Sequence, residues 1–158
     1  LVLIGATAGI EDPDARLERR RRDDALAEDL ERTGDIDAFL QRWLAGPLFA
    51  TLPKDRAQLD ERRRNSPAGL ASSLRLAGVG AQVPVWQRLG ELTMPVLILA
   101  GSHDPRFVAS GIRMATATRG AFSMIPGAGH AAHLHQPELS SRVVDRWFER
   151  TGSISTSA

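Results

Sequence analysis

Two stretches, LILAGSHDPRF at Leu97–Phe107 and IPGAGHAAHLHQP at Ile125–Pro137, carry the architecture of this chain. The apolar run Val96–Ala100 has no polar alternation, which is how a strand covered on both faces of a parallel sheet reads. It closes on Gly101-Ser102. Pro105 then opens a helix that runs to about Thr118, with Val108, Ile112 and Ala115 on one stripe. A weaker run of the same kind, Ala121–Ile125, ends in Pro126-Gly127-Ala128-Gly129. Its helix runs from Pro137 to Arg150 and aligns Leu139, Val143 and Trp147, with Val144 and Phe148 widening the stripe. Leu1–Ile4, closed by Gly5-Ala6-Thr7, is a third strand of this type. Repetition of strand, loop and helix predicts an α/β fold, with parallel strands flanked by helices.

Residues 11–90 read differently, as consecutive helices without a convincing strand. Ile36, Leu40, Trp43 and Leu44 fall at helical spacing before Gly46-Pro47 ends the pattern. Ser66-Pro67 has the form of an N-cap followed by proline in the first turn. Leu70, Leu74 and Ala77 then share a face that stops at Gly78 and Gly80. The expected organisation is a core formed by residues 1–10 and 91–150, a helical cap at 11–90, and a flexible tail at 151–158.

Composition narrows the class. The chain has 158 residues, a formal net charge of +1, 42% hydrophobic and 25% charged residues, and no cysteine. Those values exclude a disordered chain, a collagen-like chain and a disulfide scaffold. No apolar run reaches the roughly 20 residues of a membrane span. Near-neutral charge argues against a chain whose task is to coat nucleic acid. Absence of cysteine fits a cytoplasmic protein, which is the expected location. Among the 20 basic residues only Lys54 is a lysine. The sequence opens Leu1-Val2-Leu3-Ile4-Gly5, with no methionine and already inside a strand pattern, so the expectation is that part of the fold precedes Leu1.

The chemistry is expected in the two loops that follow the second and third strands, where open α/β sheets hold their ligands. One loop carries Asp104, the other His130. Taken singly, Asp104 reads as a helix N-cap before Pro105, and His130 as a loop residue packed among glycines. Taken together they form an orienting pair, in which the carboxylate sets the imidazole tautomer and stabilises the imidazolium. His133 and His135 lie in the next turn without a carboxylate or cysteine at ligand spacing, so no metal is expected.

These two loops resemble the last strand-and-loop units of the α/β-hydrolase superfamily, in which the acid and the histidine follow a serine in chain order. By that resemblance Asp104 is the acid and His130 the histidine of a catalytic triad. No serine in the chain has glycine two residues before and two after it, and no His-Gly pair occurs. The resemblance therefore implies that the nucleophile lies in the missing N-terminal half of the same fold. Three further segments narrow it: ERRRRDDALA at 18–27, FLQRWLAGPLFATL at 39–52, and RRRNSPAGLASSLRLAGVGAQVPVW at 62–86. They are similar to the MenH family, the 2-succinyl-6-hydroxy-2,4-cyclohexadiene-1-carboxylate synthases of menaquinone biosynthesis.

The family resemblance implies a carbon–oxygen lyase that needs no cofactor and eliminates pyruvate from a small substrate bearing several carboxylates. It implies substrate contacts from Arg20 and Arg62, with Trp43 as an apolar wall. Guanidinium forks suit such a substrate because they bind carboxylates bidentately. The competing interpretation of Arg19–Arg22 is a solvated helix face balanced by Glu18, Asp23 and Asp24, and that of Trp43 is a core residue. Two other functions stay open at this point. One is a different α/β-hydrolase, an esterase or a C–C bond hydrolase, sharing the Asp and His loops. The other is non-enzymatic: an inert fragment, or an arginine-rich helical binding module.

Overall fold

The computed structural model describes residues 1–152, which form two compact units. One unit comprises residues 1–8, 47–56 and the chain from Trp86 onward; the other comprises residues 9–46 and 57–85. The expected tail lies outside the described residues from 153 on, while Thr151 and Gly152 belong to the last helix.

The first unit is built on a parallel sheet of strands β1 (Val2–Ile4), β2 (Leu97–Gly101) and β3 (Ala121–Ile125), in the order β1-β2-β3. Leu99 pairs with Ile4 on one side and Ser123 on the other. All of β2 is buried, as its unbroken apolar run predicts. The outer strands, by contrast, are half-buried for most of their length, and Met124 is exposed. A strand pattern for burial on both faces is therefore realised in this chain only at the centre of the sheet.

Helices α5 (Pro105–Thr118), α6 (Ala132–His135) and α7 (Pro137–Gly152) complete this unit. One core cluster joins Leu97, Leu99, Ile125, Ala128, Ala132 and Trp147, and Leu139, Val143 and Val144 pack on it. Each fully buried Leu or Ile of such a cluster contributes about 1.5–3 kcal/mol. The stripe expected on α5 is rotated. Its buried residues are Gly111, Met114, Ala115 and Thr118, and Ile112 is 50% exposed. The helix approaches the sheet through Gly111, which sits against Phe122 and Ile98. Hydrophobic spacing alone could not reveal that a glycine takes the contact.

The second unit is helical: α1 (Pro13–Thr33), α2 (Ile36–Leu44), α3 (Leu59–Arg63) and α4 (Pro67–Ala77). Asp12 caps α1 by accepting from the amides of Asp14 and Ala15, and Gly34 closes it at φ 64°. Ser66 caps α4 by accepting from the Gly69 amide, as the Ser-Pro signal predicts. Leu30, Phe39 and Leu40 form the core, with Trp43, Leu70 and Leu74 packed on it. Residues 47–56, which the sequence places with the helices, instead belong to the sheet unit. Its ties there are hydrogen bonds from His135 to Thr51 and from Arg56 to Leu134.

Candidate active site

The loops after β2 and β3 are joined by backbone before any side chain is considered. The Ser102 amide donates to the Ile125 carbonyl at 3.0 Å, and the His103 amide to the Ala128 carbonyl at 2.9 Å. The Gly127 amide returns a bond to Ser102 Oγ at 2.9 Å. At Gly101 the loops touch: a Cβ there would stand 2.1 Å from the Gly129 carbonyl oxygen. No residue larger than glycine fits that position without separating the loops.

Asp104 is placed by this assembly at the start of α5, 8% exposed. Its two carboxylate oxygens have separate partners. Oδ1 accepts from the Phe107 amide at 3.3 Å, which is the N-cap bond. Oδ2 lies 2.9 Å from His130 Nδ1. One oxygen thus makes the N-cap bond and the other the contact with the imidazole. A carboxylate can only accept, so Nδ1 carries the proton, and Nε2 of the neutral ring keeps its lone pair. That is the tautomer a general base requires.

Three neighbours of His130 escaped the sequence reading. The Phe107 ring meets the imidazole edge-on at a centroid distance of 4.4 Å, and Phe49 does so at 6.1 Å. Gly5 adopts φ 57°, and a Cβ on it would lie 2.8 Å from the His130 carbonyl oxygen and 3.2 Å from Cε1. A signal existed for Gly5, in the glycine that closes β1, and for Phe107, in its spacing from the cap. Phe49 gave none, because it comes from residues 47–56 and the sequence places that segment elsewhere.

The expected substrate contacts lie in the helical unit. Arg20 is on α1, Trp43 on α2 and Arg62 on α3. The arginine run divides as helical geometry requires. Arg19 Nε donates to both oxygens of the buried Asp23 at 2.9 and 3.0 Å, and Arg22 Nε donates to Glu18 at 2.9 Å. Arg20 is exposed, and among the described residues no hydrogen bond or ion pair holds its guanidinium. Arg62 Nε donates to the Ala57 carbonyl at 2.8 Å. Trp43 stacks on Phe39 at 5.8 Å, so one face of the indole is committed to the core.

Several other surface charges in this unit are paired with one another. Arg75 grips Glu31 through two bonds of 2.6 and 2.8 Å, and these lower the Glu31 carboxyl below its ordinary pKa. Arg42 and Arg32 both bind Asp29 and lower its pKa, Arg42 having the larger effect. Among the described residues no group of three or more His, Cys, Asp or Glu could hold a metal ion, and no helix is long and apolar enough to cross a membrane.

No family model matches the chain. It is 34% identical over 156 residues to a Bacillus subtilis protein named for 2-succinyl-6-hydroxy-2,4-cyclohexadiene-1-carboxylate synthase, covering 94% of this chain and 56% of that one. It is 33% identical over 141 residues to the enzyme of that name from Klebsiella pneumoniae, covering 87% and 53%. The structure of MenH from S. aureus superposes with a TM-score of 0.89 at 31% identity, over 96% of this chain and 59% of that one. A thermophilic esterase from Thermogutta terrifontis shares the fold at a TM-score of 0.66 and 22% identity. The chain spans about half the length of the curated relatives it matches. Its sheet and flanking helices are those of the C-terminal part of an α/β-hydrolase fold, and along this length the chain is MenH-like.

Proposed function

We propose that this MenH-like chain supplies the acid, the histidine and the arginine-bearing helices of a 2-succinyl-6-hydroxy-2,4-cyclohexadiene-1-carboxylate synthase. The observation that carries the proposal is the 2.9 Å bond between Asp104 Oδ2 and His130 Nδ1, on loops locked together at the carboxyl ends of β2 and β3. A serine held by another part of the protein, outside these 158 residues, gives its proton to His130 Nε2. Asp104 stabilises the imidazolium that results. The serine oxygen then removes a proton from the carboxylated ring. The electron pair so released forms a ring double bond as the bond between a ring carbon and the oxygen of the three-carbon group breaks; that group leaves with its oxygen as the enolate of pyruvate and takes up the proton held on His130, which completes pyruvate and resets the pair. The acid–base step is a proton relay, and carboxylate-binding arginines hold the anion in place while it occurs.

In this reading the guanidinium of Arg20 meets a substrate carboxylate, Arg62 meets a second, and Trp43 lines the apolar side. The test is pyruvate release from the purified substrate, measured on this chain alone and on a protein completed with the N-terminal half of the Bacillus subtilis relative. The completed protein is expected to release pyruvate and the chain alone to release none. Release by the chain alone would refute an external nucleophile. Ester hydrolysis without pyruvate release by the completed protein would refute the lyase assignment.

A further inference from the structure

Five residues beyond His130, a second histidine has both ring nitrogens committed. The Gly129 amide points at His135 Nδ1 at 3.3 Å, and His135 Nε2 lies 2.6 Å from the Thr51 carbonyl oxygen. An amide can only donate and a carbonyl can only accept, so one tautomer alone satisfies both: neutral, with the proton on Nε2. Thr51 belongs to the segment 47–56, which is fastened a second time where Arg56 Nη1 donates to the Leu134 carbonyl at 3.4 Å. Two residues before Thr51 the segment carries Phe49, the ring that stands edge-on to His130.

We infer that His135 is a positioning residue for His130. It pins the strap 47–56 through Thr51 and the His130 loop through Gly129, so that Phe49 and the backbone beside His130 keep one arrangement. The inference rests on the reading of His130 as the proton-transfer base. Among the described residues one hydrogen bond orients the His130 ring, that to Asp104, and a single bond leaves the ring free to rock about its axis. The Phe107 ring limits that motion from α5, and the Phe49 ring limits it from the strap. Only the second depends on His135. Loss of the Nε2 bond would free the strap at Thr51, and loss of the Nδ1 bond would free the residue directly before His130.

Side-chain nitrogen NMR and ring-to-ring NOEs on the whole chain test this without an activity assay. In the wild type, His135 is expected as the neutral Nε2–H tautomer, with an NOE between the Phe49 and His130 rings. In His135→Ala that NOE is lost, and His130 shifts from the Nδ1–H tautomer toward a mixture. His135→Gln keeps a nitrogen donor for the Thr51 carbonyl and is expected to restore the NOE. An unchanged His130 spectrum and NOE in His135→Ala would overturn the inference, as would a wild-type His135 protonated on Nδ1. If His135→Ala does not fold, the wild-type tautomer and the His135→Gln spectrum still decide the matter. Asp104→Asn separates the two levels. If it disturbs His130 where His135→Ala does not, the positioning role fails and the acid–histidine pair stands. If neither disturbs His130, the pair fails as well.

Discussion

The sheet unit and the helical unit hold their functional candidates by different means. In the sheet unit, backbone bonds between the two loops fix Asp104 and His130 before their side chains interact, and both residues are largely enclosed. In the helical unit, Arg20 hangs from the exposed face of α1. Its neighbours Arg19 and Arg22 are tied within the helix to Asp23 and Glu18. Backbone placement is rigid and intolerant of change. A long side chain on a helix surface is mobile and can be replaced without harm to the fold. One region holds its candidates by backbone contact, the other by long side chains on a helix surface.

The largest effect should come from Asp104→Asn in the completed enzyme, with kcat for pyruvate release falling by about 10³–10⁴-fold, because the amide favours the wrong imidazole tautomer. Melting temperature should fall little, since the amide oxygen can still accept from the Phe107 amide. Next comes Gly101→Ala. Its added methyl meets a backbone oxygen that cannot move aside, so urea denaturation should show a loss of about 3 kcal/mol or more. A stable Gly101→Ala variant would break the claim that backbone contact sets the loop geometry. Arg20→Ala should leave stability within about 0.5 kcal/mol and raise KM by roughly 10- to 100-fold, the range of a lost charge-assisted hydrogen bond. An unchanged KM would return Arg20 to the solvated surface.

The smallest effect lies in the ion pairs of the helical unit. Glu31 is held below its ordinary pKa of 4.5 by Arg75, so its contribution is complete above that value and fades as pH falls through the lowered one. Melting curves of the wild type should therefore decline on the acid side more than those of Glu31→Gln, and salt should narrow the gap. A pair of curves that stay parallel on acidification would show that the Arg75–Glu31 fork adds nothing to the folded state.

The same contrast explains what could be read from sequence. Strands β2 and β3 and helices α5 and α7 were legible because their limits are written as Gly, Pro and cap residues, whose conformations are local. Asp104 and His130 were legible as loop residues after buried strands. The pairing of Asp104 with both a helix amide and an imidazole was not, since it depends on which oxygen faces which loop. The face of α5 was misread because spacing of large apolar residues cannot see contact made through Gly111. Segment 47–56 was misassigned for a different reason. Its attachment includes two side-chain-to-carbonyl bonds, His135 to Thr51 and Arg56 to Leu134, and neither carbonyl leaves any mark in the sequence.

Gly5 has a bearing on the order of assembly. Strands β2 and β3 meet across a single helix, whereas Val2 reaches Leu97 only across the whole of the helical insert. Closing the longer loop costs more chain entropy and brings less local reward, which delays it. Amides bonded across β2 and β3, those of Ala121 and Ser102, should gain protection in pulse-labelled exchange before those of Gly5 and Leu97, bonded across β1 and β2. The wall that Gly5 provides behind the His130 ring is thus the last to arrive. The acid and the imidazole can meet early in folding, but the ring acquires its final seat only when the first strand of the chain comes home.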